Sequence, residues 1–238
     1  MTVHDPRRPG ALRAVLFDMD GLLVDSEPLW FEVERTVMAR LGGQWTEADQ
    51  QALIGGSLDR TVSWLLAKAA VPASRDDVAR WLVAEMAQLI LSRGLPLQPG
   101  AGPLLAALDA AGVPRALVTA SSRAIMEAVL KVTALSFSVA VCGEDVRRGK
   151  PDPAPYVLAA DRLGVPAAGC VVLEDSPTGI AAARAAGCPV IAVPSVPVPP
   201  GPGLVTAGSL EEVGFDLLEA MVAGNFDGPG QAVTEKSR

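Results

Sequence analysis

Short apolar runs and amphipathic stretches follow one another along the chain, and their order changes with position. A first apolar run at residues 14–17 ends directly at acidic residues and predicts a buried strand. From there to about residue 91 the apolar residues recur at helical spacing, with no comparable run. Helices are predicted at 29–41, 59–70 and 76–91. The first strand is therefore followed by a helical insertion.

Beyond residue 104 the pattern becomes an alternation of helices and apolar strands. Strands are predicted at 115–118, 138–141, 171–173 and 190–193, and helices at 104–111, 123–132, 154–163 and 178–186. Such alternation is typical of a parallel sheet covered by helices. The first strand must join this sheet, because an isolated strand leaves its backbone groups without partners. We therefore expect an α/β fold, a Rossmann-like parallel sheet with helices on both faces, plus an inserted all-helical cap domain.

The same patterns set the expected domain boundaries. A discontinuous α/β core is predicted at residues 12–26 and 98–223, and the helical cap at 27–97. Flexible tails are expected at 1–11 and 224–238, and a proline-rich loop at 194–203.

Composition narrows the classes of function. Half of the 238 residues are hydrophobic and the formal net charge is −7, without a long basic run, which argues against nucleic acid or an anionic membrane as partner. No signal-like or membrane-spanning apolar stretch occurs, so a cytoplasmic protein is expected, and a monomer by default. The single histidine is His4, in the N-terminal tail, which excludes histidine-based catalysis. Three scattered cysteines are expected to be small buried residues.

Polar residues follow the predicted strands. They are Asp18 and Asp20 after the first, Thr119, Ala120 and Ser121 after the second, Lys150 in the loop after the third, and Glu174 and Asp175 after the fourth. In a parallel sheet these positions converge on one edge. Crowded carboxylates need a cation, and ligands that are all oxygen suit Mg²⁺.

The same carboxylates predict a reaction. One can attack phosphorus to form an acyl phosphate, and another can act as general acid and base. Each residue alone has an ordinary structural explanation, such as a helix cap or an exposed loop lysine. The ordered set at successive strand ends favours phosphoryl transfer.

Four segments resemble the motifs of the haloacid dehalogenase-like superfamily. They are DMDGLLVDS at 18–26, Thr119 in LVTASS, Lys150-Pro151, and Glu174-Asp175 in LEDSPTGIAAARAAG. The resemblance covers about residues 12–222, and its first and fourth motifs are the specific ones. It implies that Asp18 is the nucleophile and a magnesium ligand.

The resemblance also implies roles for the other core residues. Asp20 would be the general acid and base, with its main-chain carbonyl on the metal. Thr119 and Lys150 would hold the phosphoryl group. Asp175 would bind Mg²⁺ directly and Glu174 mainly through water. The family further implies a cap that closes over the site.

The nearest subgroup contains β-phosphoglucomutase and the sugar-phosphate and phosphoglycolate phosphatases. The mutase uses a cap histidine where this chain has Trp30 and a cap arginine where it has Leu58, with Arg60 nearby. These departures favour a magnesium-dependent phosphatase acting on a small phosphorylated metabolite, through an aspartyl-phosphate. Trp30, Leu58, Arg60, Ala120 and Ser121 are the candidates for substrate binding.

The sequence also leaves other functions as hypotheses. A phosphomutase would return the phosphoryl group to a sugar, and a non-catalytic relative would only bind a phosphorylated ligand. Phosphonate-cleaving relatives form a Schiff base on a cap lysine, and the predicted cap contains one lysine, Lys68. We expect Lys68 to lie at the surface with its stem along apolar residues.

Overall fold

The computed structural model describes residues 11–53, 56–194, 197–199, 201 and 203–224. His4 and the predicted tails lie outside these ranges, apart from Ala11 and Gly224. Part of the predicted proline-rich loop is also outside them. The chain divides into two units. A sheet unit takes the described parts of 11–24, 97–119 and 136–224, and a helical unit takes those of 25–96 and 120–135.

The sheet unit is built on a six-stranded parallel sheet. Its strands are β1 (Ala14–Phe17), β2 (Arg115–Val118), β3 (Val139–Val141), β4 (Cys170–Glu174), β5 (Val190–Ala192) and β6 (Leu204–Thr206). Their order is β3-β2-β1-β4-β5-β6. The chain thus adds β2 and β3 on one side of β1 and the later strands on the other. The reversal of strand order falls beside β1, where ligand sites of such sheets form.

Both faces of the central strands are covered. Every residue of β1, β2 and β4 is buried, although successive side chains point to opposite faces. The helices of this unit are α5 (Ala101–Ala110), α7 (Ala154–Leu163), α8 (Pro177–Ala185) and α9 (Phe215–Val222). Side chains of α7 and α8 share one apolar core with Ala14 and Leu16 of β1. The predicted α/β fold is confirmed.

The helical unit contains α1 (Glu27–Arg40), α2 (Glu47–Leu53), α3 (Leu58–Lys68), α4 (Arg75–Arg93) and α6 (Arg123–Thr133). The buried residues of α4 recur every four positions, at Val78, Leu82, Met86 and Ile90. This stripe makes α4 the centre of the unit, and α1, α3 and α6 pack against it. Residues 120–135 group with this unit because of the α4–α6 packing, although the sequence had assigned them to the core.

Among the α-helices and strands of the described residues, the sequence pattern did not predict α2, β6 and α9. The three cysteines, Cys142, Cys170 and Cys188, are buried and free, as expected. Within the described ranges, no helix combines the length and the apolar character needed to cross a membrane.

Candidate active site

The carboxyl ends of β1, β2 and β4 bring the predicted core residues together. Phe17 of β1 pairs with Leu173 of β4 and with Leu117 of β2. The next residue of each strand pair therefore meets at the same edge, which sets Asp18 beside Glu174. The Asp18 amide also donates to the Leu173 carbonyl at 3.1 Å. Parallel register alone thus aligns the two acidic positions.

The loop after β1 is anchored by buried apolar side chains on both sides of Asp20. Met19 is 1% exposed, and the amides of Leu23 and Val24 both donate to its carbonyl. The loop turns at Gly21, whose φ is +83°. A Cβ at Gly21 would lie 2.3 Å from an oxygen of Asp175, so glycine is required on two grounds. The Thr119 hydroxyl lies 3.4 Å from the Asp20 carboxylate.

Lys150 is the centre of the acidic cluster and is not an exposed loop lysine. Its side chain is 5% exposed. Its ammonium group donates to Asp18, to Glu174 Oε1 at 2.5 Å and to the Val118 carbonyl at 2.9 Å. These three bonds use all three N–H groups of a lysine. The position of the ammonium group is therefore fixed by partners at the ends of β1, β4 and β2.

Glu174 is fully buried, and both of its oxygens are hydrogen-bonded. Oε1 accepts from Lys150 and from the Tyr156 hydroxyl at 2.6 Å. Oε2 accepts from Ser176, through its amide at 3.2 Å and its hydroxyl at 3.0 Å. A carboxylate offers about four acceptor positions, and here all are occupied.

A glycine at the start of α8 makes room for this carboxylate. A Cβ at Gly179 would lie 1.8 Å from Glu174 Oε1 and 2.2 Å from Oε2. The Gly179 amide donates to the Ser176 hydroxyl, which caps the helix. Ser176 therefore holds the helix end and the carboxylate together.

Burial and mutual repulsion shift the ionisation of the cluster. Burial raises the pKa of Asp18, against the effect of Lys150, and the neighbouring carboxylates raise it further. For Lys150, burial alone would lower the pKa, but Asp18 and Glu174 outweigh it and raise it above the ordinary range. The two acids that Lys150 contacts thus keep its ammonium group protonated.

The donor set fits a magnesium ion. Asp18, Glu174 and Asp175 each offer one carboxylate oxygen, and these oxygens lie within 4.8 Å of one another. All-oxygen donor sets of buried carboxylates suit Mg²⁺, and a divalent cation would balance their charge. Because the acceptor positions of Glu174 are occupied, it can ligate a metal only by giving up one of its hydrogen bonds.

The structure brings together Asp18, Asp20, Thr119, Lys150, Glu174 and Asp175 within the sheet unit. The proposed substrate-binding residues fall in the helical unit instead. Ala120 and Ser121 precede α6, Trp30 is half-buried in α1, and Leu58 is half-buried at the start of α3. Arg60 is exposed, and its guanidinium donates to the Ala52 carbonyl at 2.9 Å.

Lys68 has an ion-pair partner, which the sequence did not indicate. Its ammonium group lies 2.5 Å from the Asp49 carboxylate, and its side chain is 38% exposed. Asp49 also accepts from the Trp64 indole at 2.9 Å. The ion pair occupies the Lys68 amine, which disfavours Schiff-base formation and with it the phosphonate-cleaving hypothesis.

Sequence reasoning missed Tyr156, Ser176 and Gly179. Ser176 and Gly179 stand inside the fourth motif, where Ser-x-x-Gly at a strand–helix junction indicates a helix cap. Tyr156 is the only tyrosine of the chain and stands six residues after Lys150. Burial raises its pKa, so its hydroxyl keeps the proton that it donates to Glu174.

Comparisons with known proteins identify the family and the relatives of this chain. Residues 12–187 match the model of the haloacid dehalogenase-like hydrolase family. Hexitol phosphatase A of Escherichia coli is 39% identical over 184 residues, 76% of this chain and 82% of that protein. The phosphorylated carbohydrates phosphatase of Thermotoga maritima is 33% identical over 180 residues, 74% of this chain and 82% of that protein.

A solved structure is also similar to this chain in its fold. CbbY from Rhodobacter sphaeroides, crystallised with phosphate, superposes with a TM-score of 0.71 at 29% identity, over 78% of this chain and 87% of that one. The relatives support the predicted class of enzyme, a phosphoric monoester hydrolase. On the family match and the shared fold together, the chain belongs to the haloacid dehalogenase-like hydrolases.

Proposed function

We propose that this hydrolase removes phosphate from a small phosphorylated sugar or sugar alcohol, with Mg²⁺ and through an aspartyl-phosphate on Asp18. The observation that carries the proposal is the meeting of Asp18, Lys150, Glu174 and Asp175 at one edge of the sheet. The hexitol and carbohydrate phosphatases among the relatives support the class of substrate.

The chemistry divides between two carboxyl groups. Asp18 attacks phosphorus, and the bond to the leaving alcohol breaks as Asp20 donates a proton to that oxygen. Water then attacks the acyl phosphate, passes a proton to Asp20, and releases inorganic phosphate and the Asp18 carboxylate. The Thr119 hydroxyl, 3.4 Å from Asp20, lies where it can orient this acid. Lys150 stabilises negative charge on the transferring oxygens.

Magnesium would be held by Asp18 and Asp175, with the Asp20 main-chain carbonyl as the family resemblance implies. Glu174 contributes its charge, through water or after releasing one hydrogen bond. The ion supplies positive charge to the carboxylates and to the phosphoryl oxygens. Without the ion, the hydrogen bond from Lys150 keeps the Asp18 carboxylate oriented.

The test is phosphate release from a panel of hexitol, aldose and ketose phosphates, with Mg²⁺ or with a chelator. We expect phosphate release to require Mg²⁺. We also expect Asp18→Asn to reduce the rate of release by about 10³-fold or more. Asp161→Asn, at an exposed carboxyl of α7, is the matched control and should keep full activity. Metal-dependent turnover that survives in Asp18→Asn would overturn the aspartyl-phosphate route.

The same assay separates the phosphatase from a phosphomutase. A mutase conserves the phosphoryl group and yields an isomeric sugar phosphate, whereas a phosphatase releases it as inorganic phosphate. Trp30 and Leu58 stand where the mutase has its histidine and arginine, and this favours release. Substrate selectivity through Trp30, Leu58 and Arg60 stays a prediction, as do a monomeric state and a cytoplasmic location. Exchange of each of the three residues for alanine should change the ranking of substrates in the panel.

A further inference from the structure

Tyr156 is a buried polar residue to which the proposed reaction gives no role. It is fully buried in the first turn of α7, among the largest enclosed side chains of the described residues. The start of α7 is fixed by Asp152, whose side chain accepts from the Ala154 amide at 3.0 Å. The Tyr156 ring packs in the core with α8 and the strands, while its hydroxyl points at Glu174.

The hydroxyl contacts the one carboxylate oxygen that Lys150 also uses. Tyr156 donates to Glu174 Oε1 at 2.6 Å, and Lys150 donates to the same atom at 2.5 Å. The Lys150 nitrogen lies 5.1 Å from the centre of the Tyr156 ring. Tyr156 therefore limits the movement of the ammonium group in two ways, through Glu174 and through the face of its ring.

Glu174 needs this support because little else holds Oε1. Ser176 binds the other oxygen, and Gly179 only leaves space for the carboxylate. Without the Tyr156 hydroxyl, Oε1 would be bound by Lys150 alone among the contacts that the described residues make. Ser176 would then anchor the carboxylate at Oε2 alone, so Oε1 and the Lys150 ammonium group that binds it would be less closely confined beside Asp18.

We infer that Tyr156 is a positioning residue, whose hydroxyl fixes Glu174 and thereby holds the Lys150 ammonium group against Asp18. The inference rests on the proposed function, in which Lys150 stabilises charge during transfer to Asp18. A group preorganised for the transition state affects kcat more than it affects binding of the substrate.

The variant that tests this is Tyr156→Phe, which keeps the ring and removes only the hydroxyl. The control is Cys170→Ala, which alters a buried side chain at the opposite end of β4, in the same apolar core. Steady-state kinetics are measured with Mg²⁺ on a substrate that the wild type hydrolyses, well below the thermal unfolding temperature of each variant. We expect Tyr156→Phe to lower kcat by about 10- to 100-fold with KM little changed, as for other residues that orient charged ligands. Cys170→Ala should lose thermal stability but keep kcat.

A double-mutant cycle shows whether the effect passes through Glu174. In a Glu174→Gln background, Tyr156→Phe should reduce kcat by much less than it does in the wild type. Equal kcat values for Tyr156→Phe and the wild type, or additive effects in the cycle, would overturn the inference while leaving the phosphatase intact. Absence of phosphate release from the wild type itself would overturn the proposed function, and the inference with it.

Discussion

Glu34 gives the sharpest test of the electrostatics of the helical unit. The residue is 4% exposed within α1, and one of its carboxylate oxygens accepts from the Trp45 indole at 3.1 Å. Within the described residues it makes no ion pair. Burial, and after it the negative charge of Glu27, raises the pKa of Glu34 from its ordinary 4.5 to about 8. Glu34 is therefore a neutral acid near pH 7 in the folded protein.

The sign of the pH dependence follows from proton binding. Between pH 4.5 and 8 the folded state keeps the proton of Glu34 and the unfolded state loses it. Stability then falls as the pH rises through this window, by at most about 1.4 kcal/mol per pH unit. The pKa difference sets an upper limit of about 5 kcal/mol for the whole window. Outside it the two states bind equal numbers of protons at this site, and its contribution is flat.

Glu34→Gln removes the titration and keeps the shape of the neutral acid. The free energy of unfolding is measured with urea from pH 4.5 to 8.5, by tryptophan fluorescence. All four tryptophans, Trp30, Trp45, Trp64 and Trp81, lie in the helical unit, so the signal reports this unit. Titration of other groups cancels in the difference between the two proteins. We expect wild type to lose about 2 kcal/mol or more relative to the variant across the range.

Two further variants make the result specific. Glu47→Gln, at an exposed side chain of α2, is the control for the exchange itself and should keep the loss of stability that Glu34 causes in the wild type. Glu27→Gln removes the charge that raises the pKa of Glu34, so the upper limit of the window should move to lower pH. Parallel stability curves for wild type and Glu34→Gln would refute the assignment of a buried neutral acid.

Three other substitutions test contacts, two in the sheet unit and one in the helical unit. Gly179→Ala places a methyl group 1.8 Å from Glu174 and should lower kcat by about 10- to 100-fold. The control is Gly102→Ala in α5, where a Cβ meets nothing closer than 3.9 Å. It should keep kcat and raise stability by up to about 1 kcal/mol. Equal kcat values for Gly179→Ala and Gly102→Ala would contradict the steric argument. Asp49→Asn should destabilise the helical unit by about 1–3 kcal/mol at pH 7, because the hydrogen bond from Lys68 holds the pKa of Asp49 below its ordinary 3.8. That difference should shrink as acid protonates Asp49 in the wild type, and urea curves that keep it undiminished at pH 2 would argue against the ion pair.

The sheet and the acidic cluster were predictable because their signals are local. Residues 14–17 and 116–118 are apolar runs that end at polar residues, and they lie in the strands Ala14–Phe17 and Arg115–Val118. Parallel pairing then brings their ends together without further information. The acidic cluster follows from the sheet, since each of its strand-end residues is placed by its own strand.

Other elements could not be read from hydrophobic patterns. α2 has only Asp49 and Leu53 buried, so its inner face shows no apolar period. β6 has three residues and joins the sheet only through pairing with β5. The grouping of α6 with the helical unit depends on its packing against α4, which is distant in sequence.

Buried ionisable groups mark the limit of prediction from the sequence. A loop lysine and a helix glutamate are both usually exposed, yet Lys150 and Glu34 are buried with opposite outcomes. Lys150 keeps its charge because Asp18 and Glu174, 132 and 24 residues away, are brought to it. Glu34 gives up its charge because the group that acts on it most after burial is another acid. The charge state of a buried group is thus set by the residues that the fold brings near it. For Lys150, only the ordered set of polar residues at the strand ends predicted that acidic residues would be its neighbours.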